Sequence, residues 1–219
     1  MSPHALTRVL TLIALGALAF GCKTTETHDR AATTADHVVA VGGTAGQTQV
    51  QLDRAADALD DIVAKAAVDP TSAFKTFRTA LEGFSDSFAK LKGERAALGE
   101  SATLWFSEFQ KNNNAIQDME LRKLGEERMA DLQSKIGDVQ KQVDELLANT
   151  TAVEVRMNNL RTFLGNDLTQ AGIKTVAGRV SDTTKDARKA AGGLGRLSKS
   201  SEAAAEKMRA ARPPPPPAK

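Results

Sequence analysis

The chain reads as all-α: an elongated antiparallel bundle of about four long heptad-patterned helices. Three observations predict this. Apolar residues recur at alternating spacings of three and four through four long segments, which keeps one seam on one side of a helix. No stretch alternates with the period of two that a strand needs. The breaks between segments fall on residues that cap helices or favour turns.

Element by element, the first seam is Val38, Val41, Ala45, Thr48, Leu52, Ala55, Leu59, Ile62 and Ala66. Asp69-Pro70 then supplies an N-cap followed by proline at the first helical position, where its missing N–H costs nothing. The second seam runs from Phe74 through Phe77, Leu81, Phe84, Phe88, Leu91, Leu98, Ala102, Trp105 and Phe109 to Ile116, broken only by Arg95 and Asn112. Six phenylalanines and the single tryptophan lie in this segment, which makes it the expected hydrophobic centre. Asn112 to Asn114 marks the next turn. The third seam is Leu132, Ile136, Val139, Val143, Leu146, Thr150, Val153, Met157, Leu160 and Leu164, and Gly165-Asn166-Asp167 should end it with a left-handed stop and a fresh cap. The fourth is Ile173, Val176, Val180, Thr183, Ala187, Ala190, Leu194, Leu197, Ser201, Ala204 and Met208. Tight turns make neighbouring helices antiparallel. Helices of roughly 45 residues at about 1.5 Å per residue give a rod on the order of 65 Å long.

Before the first seam, Arg8 is followed by an apolar run from Val9 to Phe20 and then by Gly21 and Cys22, the only cysteine. A charge, an apolar core and small residues in that order match a bacterial secretory signal over residues 1–21. The run is about a dozen residues, short of the roughly 20 that cross a bilayer as a helix. Ala19-Phe20-Gly21-Cys22 resembles a lipobox, with Leu18 one place further out than the usual leucine. The expectation is a covalent lipid, palmitate or a related acyl chain, on Cys22. Each buried methylene of such a chain contributes about 0.8 kcal/mol, so more than one chain anchors stably. Residues 22–32 then read as a lipidated linker, 33–210 as the bundle and 211–219, with Pro213 to Pro217, as a proline-rich disordered tail favouring polyproline geometry.

Charge narrows the function classes. Loss of residues 1–21 takes Arg8 from the 29 basic side chains and nothing from the 27 acidic ones, leaving a single positive charge. That balance argues against nucleic acid as a partner. One cysteine excludes a disulfide framework and a cysteine-based zinc site, and His28 and His37 have no partner at ligand spacing. Adjacent carboxylates at Asp60-Asp61, Glu126-Glu127 and Asp144-Glu145 point away from one another on a helix. Gly192-Gly193-Leu194-Gly195 lacks the lysine and hydroxyl of a phosphate loop. No enzyme activity and no cofactor beyond the lipid on Cys22 are expected.

Finer patterns suggest surfaces. The region of the first helix is acidic and that of the last basic, so the two should lie side by side. Lys199, Lys207, Arg209 and Arg212 form a basic cluster that would return to the end of the rod carrying Cys22, near lipid head groups. Leu104, Trp105 and Phe106 widen the apolar stripe beyond what a seam needs, which reads as a broad core stripe of the bundle or, alternatively, as a candidate partner surface. Gly42 with Gly43, Gly93, Gly137, and Gly192 with Gly193 would fall at similar heights, as a layer of close backbone approach or flexing.

From about Leu52 to Met208, Phe74-x-x-Phe77-x-x-Ala80-Leu81-x-x-Phe84, Trp105-Phe106-x-x-Phe109, Glu120-Leu121-Arg122 and Phe163-Leu164-x-Asn166-Asp167-Leu168 resemble a group of bacterial helical lipoproteins with no assigned function. The resemblance implies an envelope lipoprotein of long helices and supplies no active site. The chain departs from that group by a glycine-rich first helix, the absence of tyrosine and the proline tail. The expected role is a helical scaffold or adaptor on the periplasmic face of a membrane, binding an envelope protein or the cell wall, with homo-oligomers allowed. Lys23 rather than aspartate after the cysteine favours the outer membrane by analogy with enteric-type sorting. The alternative is a lipid or amphiphile carrier whose helices part to expose the phenylalanines.

Overall fold

The computed structural model describes the backbone of residues 3–210 and the side chains of residues 27–206. Four helices follow in order: α1 (Pro3–Ala64), α2 (Pro70–Asn114), α3 (Met119–Asn166) and α4 (Gln170–Ala210). Each packs beside its neighbour in sequence, and α4 closes back against α1, giving a four-helix bundle. Cross-helix contacts fix the directions. Thr34 meets Ser101 and Thr48 meets Ser87, so α1 and α2 are antiparallel. Arg188 meets Asp57 and Asp60 while Ser201 faces Gly42, Arg95 meets Asp144 while Lys92 meets Glu154, and Ser200 meets Gln142 while Asp186 meets Arg156, which makes the other three neighbouring pairs antiparallel as well. The 48 residues of α3 span about 70 Å, so the bundle is long and narrow.

The seams fill the core as their spacing requires. From Val38 to Ile62 every seam residue of α1 is buried, and on α2 Phe77, Phe84 and Phe88 have no exposed surface. Phe84 and Phe88 stack with centroids 5.7 Å apart, and the Lys92 ammonium lies 4.0 Å from the Phe88 ring centroid. Both polar interruptions of the second seam have partners. Arg95 Nε and Nη2 donate to the two carboxylate oxygens of Asp144 at 2.9 and 2.8 Å, and Asn112 Nδ2 donates to Thr27 Oγ1 at 2.7 Å. A polar residue at a seam position can fix the register of its helix against a neighbour. These two tie α2 to α3 at one point and to α1 at another.

Capping explains where the helices start. Asp69 accepts from the Ser72 amide at 3.0 Å with Pro70 following, and Asp118 accepts from the Glu120 and Leu121 amides at 2.9 and 3.1 Å. The third turn differs from expectation. Gly165 stays within α3, the helix ends on Asp167 at φ −139°, and no described glycine has positive φ. Asp167 instead accepts from the amide and hydroxyl of Thr169, whose oxygen accepts from the Gly172 amide and caps α4. An aspartate and a threonine thus do what a left-handed glycine would have done. These bonds hold the Asp167 carboxyl below its ordinary range, the Thr169 hydroxyl contributing most.

Residues 22–32, expected as a linker, belong to α1. Nothing between Lys23 and Val41 breaks a helix, since the stretch has neither glycine nor proline. From Thr27 onward its side chains already engage α2.

The glycines divide the bundle into two kinds of interface. A methyl group added at Gly42 would meet Ser201 Cβ at 2.8 Å and the Ser198 carbonyl oxygen at 3.1 Å, and one at Gly46 would meet Ser198 Oγ at 3.2 Å. Here α1 and α4 approach as closely as their backbones allow. Gly43, Gly93 and Gly137 face open space. Among the glycines expected to form a layer, a methyl on Gly42 of α1 would meet the backbone of α4 and one on Gly193 of α4 the side chain of Leu146 on α3, while Gly43, Gly93 and Gly137 meet nothing, so no layer of close approach crosses all four helices. α3, whose core side chains are chiefly Leu, Ile, Val and Met, comes less close to its neighbours.

Candidate functional surfaces

Cys22 lies outside the side chains described, as do Lys207 and Arg209, and Arg212 and the tail fall beyond the described residues. The end of the rod nearest Cys22 is nevertheless fixed by Thr27, which accepts from Asn112. Five residue steps lead from Thr27 to Cys22, a reach of at most about 18 Å. The end of the rod nearest Cys22 is thus the end that carries the α2–α3 turn.

Heights along the rod separate the candidate basic residues. Lys199 is exposed on α4, next to Ser198 and Ser201, which face Gly42 and Gly46 of α1. Those glycines lie fifteen to nineteen residues from Thr27 along α1, so Lys199 stands about 25 Å along the rod from Thr27. Screening in salt acts over about 8 Å, so Lys199 does not sense charges at that end. Bases at the Thr27 end include Lys111 and Lys123, both well exposed.

The expected partner surface is also reshaped. Trp105 is buried against Leu132 and Ile136 of α3 in a small separate core cluster, with Ala31 of α1 and Phe106 packed on it. Phe106 stacks on Trp105 with centroids 5.0 Å apart and is half-buried. Only Leu104 of the three is a surface residue. The reason is local. Trp105 holds a seam position of α2, level with the last turns of α4, so heptad spacing turns it inward, and Phe106 stacks beside it.

Beyond the last turn of α4, apolar side chains are left in water. Gln142 and Arg156 of α3 bond to Ser200 and Asp186 of α4. Leu121 lies a whole number of heptads before both, on the same face, but α4 ends at Ala210, level with about Leu132. Leu121 and Leu124 are accordingly more than half exposed, and Met119 is 73% exposed just past the end of α2. Sequence reasoning missed these three because their exposure depends on how far the hairpin tip extends past its neighbours, for Leu121 on where α4 stops relative to α3.

The acidic and basic helices do lie side by side. Arg188 donates to Asp57 at 3.1 Å and Asp60 at 2.8 Å, and those bonds strengthen its hold on its proton. Burial, with Asp57 adding to it, raises the nearby Asp53 carboxyl above the usual range against the pull of Arg188. Open grooves flank the helices. One of about 290 Å³ lies between α1, α3 and α4 around Leu132 and Ala203, and one of about 590 Å³ runs between α3 and α4 beside Phe163. Among the described residues no cluster of three or more histidine, cysteine or acidic side chains could hold a metal ion, and no helix is long and apolar enough to cross a membrane. Comparison with family models, curated proteins and solved structures returns no match.

Proposed function

We propose that the protein is a membrane-anchored lipoprotein of the bacterial envelope, held by acyl chains on Cys22, that acts as a helical scaffold or adaptor. The signal-like pattern of residues 1–21 supports the anchor, and the outer membrane is the favoured site by the residue after the cysteine. The observation that carries the scaffold role is the packing of α2. Phe77, Phe84 and Phe88 have no exposed surface, so what the rod offers other molecules is its length and outer faces. A carrier would need those rings to become accessible to an amphiphile, at the cost of opening seams that bury residues on all four helices. An envelope protein or the cell wall is the partner proposed.

In-cell photo-cross-linking from Leu104 and Arg196, both exposed, tests the reading. Capture of one envelope protein or of cell-wall material is the expected result. Co-purification of lipid in the core of a soluble form beginning at Lys23, with no captured partner, would replace the scaffold by the carrier.

A further inference from the structure

The geometry points to a second membrane contact: the tip of the α2–α3 hairpin, with Met119, Leu121 and Leu124, dips into the lipid surface to which Cys22 is tethered. This rests on the anchored reading above and adds to it a site on the folded bundle.

Three observations carry it. The first is place. Asn112, two residues before the end of α2, bonds to Thr27, so the hairpin tip and the chain leading to Cys22 leave the bundle at the same end. An acyl chain within about 18 Å of Thr27 brings that end, and not the α1–α2 turn at the far end, to the bilayer. The second is composition. Met119, Leu121 and Leu124 are 73%, 56% and 60% exposed within a six-residue stretch, and Ile116 beside them is half-buried. Lys111 and Lys123 flank the group and can reach toward phosphate while their stems follow apolar surface. Acidic neighbours are present too: Asp118 caps α3, Glu127 lies within 3.9 Å of Lys123 and Glu108 within 3.8 Å of Lys111, and Glu120 and Glu126 are exposed, so the tip is electrostatically balanced and its apolar side chains, not a basic excess, would hold it to lipid.

The third observation selects lipid over another helix. At about 100° per residue, Met119 and Leu121 project on nearly opposite sides of α3, with Leu124 between them and closer to Leu121. A partner helix would require a stripe at spacings of three and four on one face. Apolar groups distributed around a helix end suit a medium that surrounds the tip, which the outer part of a bilayer does.

The test uses full-length lipidated protein carrying Leu124→Cys, or Val68→Cys in the α1–α2 turn, each labelled with a nitroxide; acylation of Cys22 leaves one free thiol per chain. Vesicles of phosphatidylethanolamine with a minority of phosphatidylglycerol are added, flotation is scored, and label accessibility to oxygen and to a polar nickel complex is compared. On vesicle-bound protein the oxygen-to-nickel ratio should rise several-fold at position 124 and stay unchanged at 68. A label at 124 that remains as wet as the one at 68 on floated protein overturns the tip contact while leaving the anchor in place. Protein that does not float overturns the anchor and the tip contact together. Equal shielding at 124 with and without vesicles shows the tip buried against a second copy, which also overturns the proposal.

Discussion

The α1–α4 seam and the α2–α3 hairpin tip lie on one bundle but follow opposite rules. In the seam, Gly42 brings α1 so close to Ser201 and the Ser198 carbonyl of α4 that a methyl group forces a shift, and one at Gly46 would press on the Ser198 hydroxyl. At the tip, Met119, Leu121 and Leu124 present whole side chains that touch little protein. The difference shows where shape is specified and where chemistry is left free. Small residues set the register of α1 against α4, and large apolar residues placed past the end of α4 belong to whatever meets that end.

Substitutions can break or sharpen this contrast. The core sets the scale: Phe84→Ala, at the centre of the filled seam, should cost about 3–5 kcal/mol and lower the midpoint of chemical unfolding more than any surface change. Gly42→Ala comes next, with a net loss of about 1–2 kcal/mol. It gains helix propensity but drives a methyl into Ser201 and the backbone of Ser198, and equilibrium unfolding would show which effect wins. Gly93→Ala has the same local chemistry with open space around it, and should stabilise by about 0.5–1 kcal/mol. If both alanines moved the melting curve in the same direction, the close-approach account of the seam would fail. Leu124→Ser should change stability by less than about 0.5 kcal/mol, because an exposed side chain loses little buried area.

Much of the fold is legible in the sequence. Spacings of three and four place the residues from Val38 to Ile62 in the core, and Asp69-Pro70 marks the start of α2, because burial and capping act over one or two turns. What depends on the height of one helix against another is not legible in the same way. Lys199 lies near the end of α4 in the sequence, yet the glycine contacts that set α4 against α1 hold it about 25 Å along the rod from Thr27. Leu104, Trp105 and Phe106 read either as a broad core stripe or as a partner surface, and the seam position of Trp105 decides for the core, turning it against Leu132 and Ile136. Gly165 reads as a left-handed stop, whereas Asp167 and Thr169 close the turn with side-chain bonds. The exposure of Leu121 follows from where α4 ends relative to α3, which no periodicity in either helix records.

Everything proposed about position depends on the state of Cys22. Intact mass measurement of the protein extracted from its native membrane tests it directly. A polypeptide beginning at residue 22 and carrying the added mass of acyl chains on the cysteine is the predicted result. A chain with an unmodified Cys22 thiol would contradict the tether.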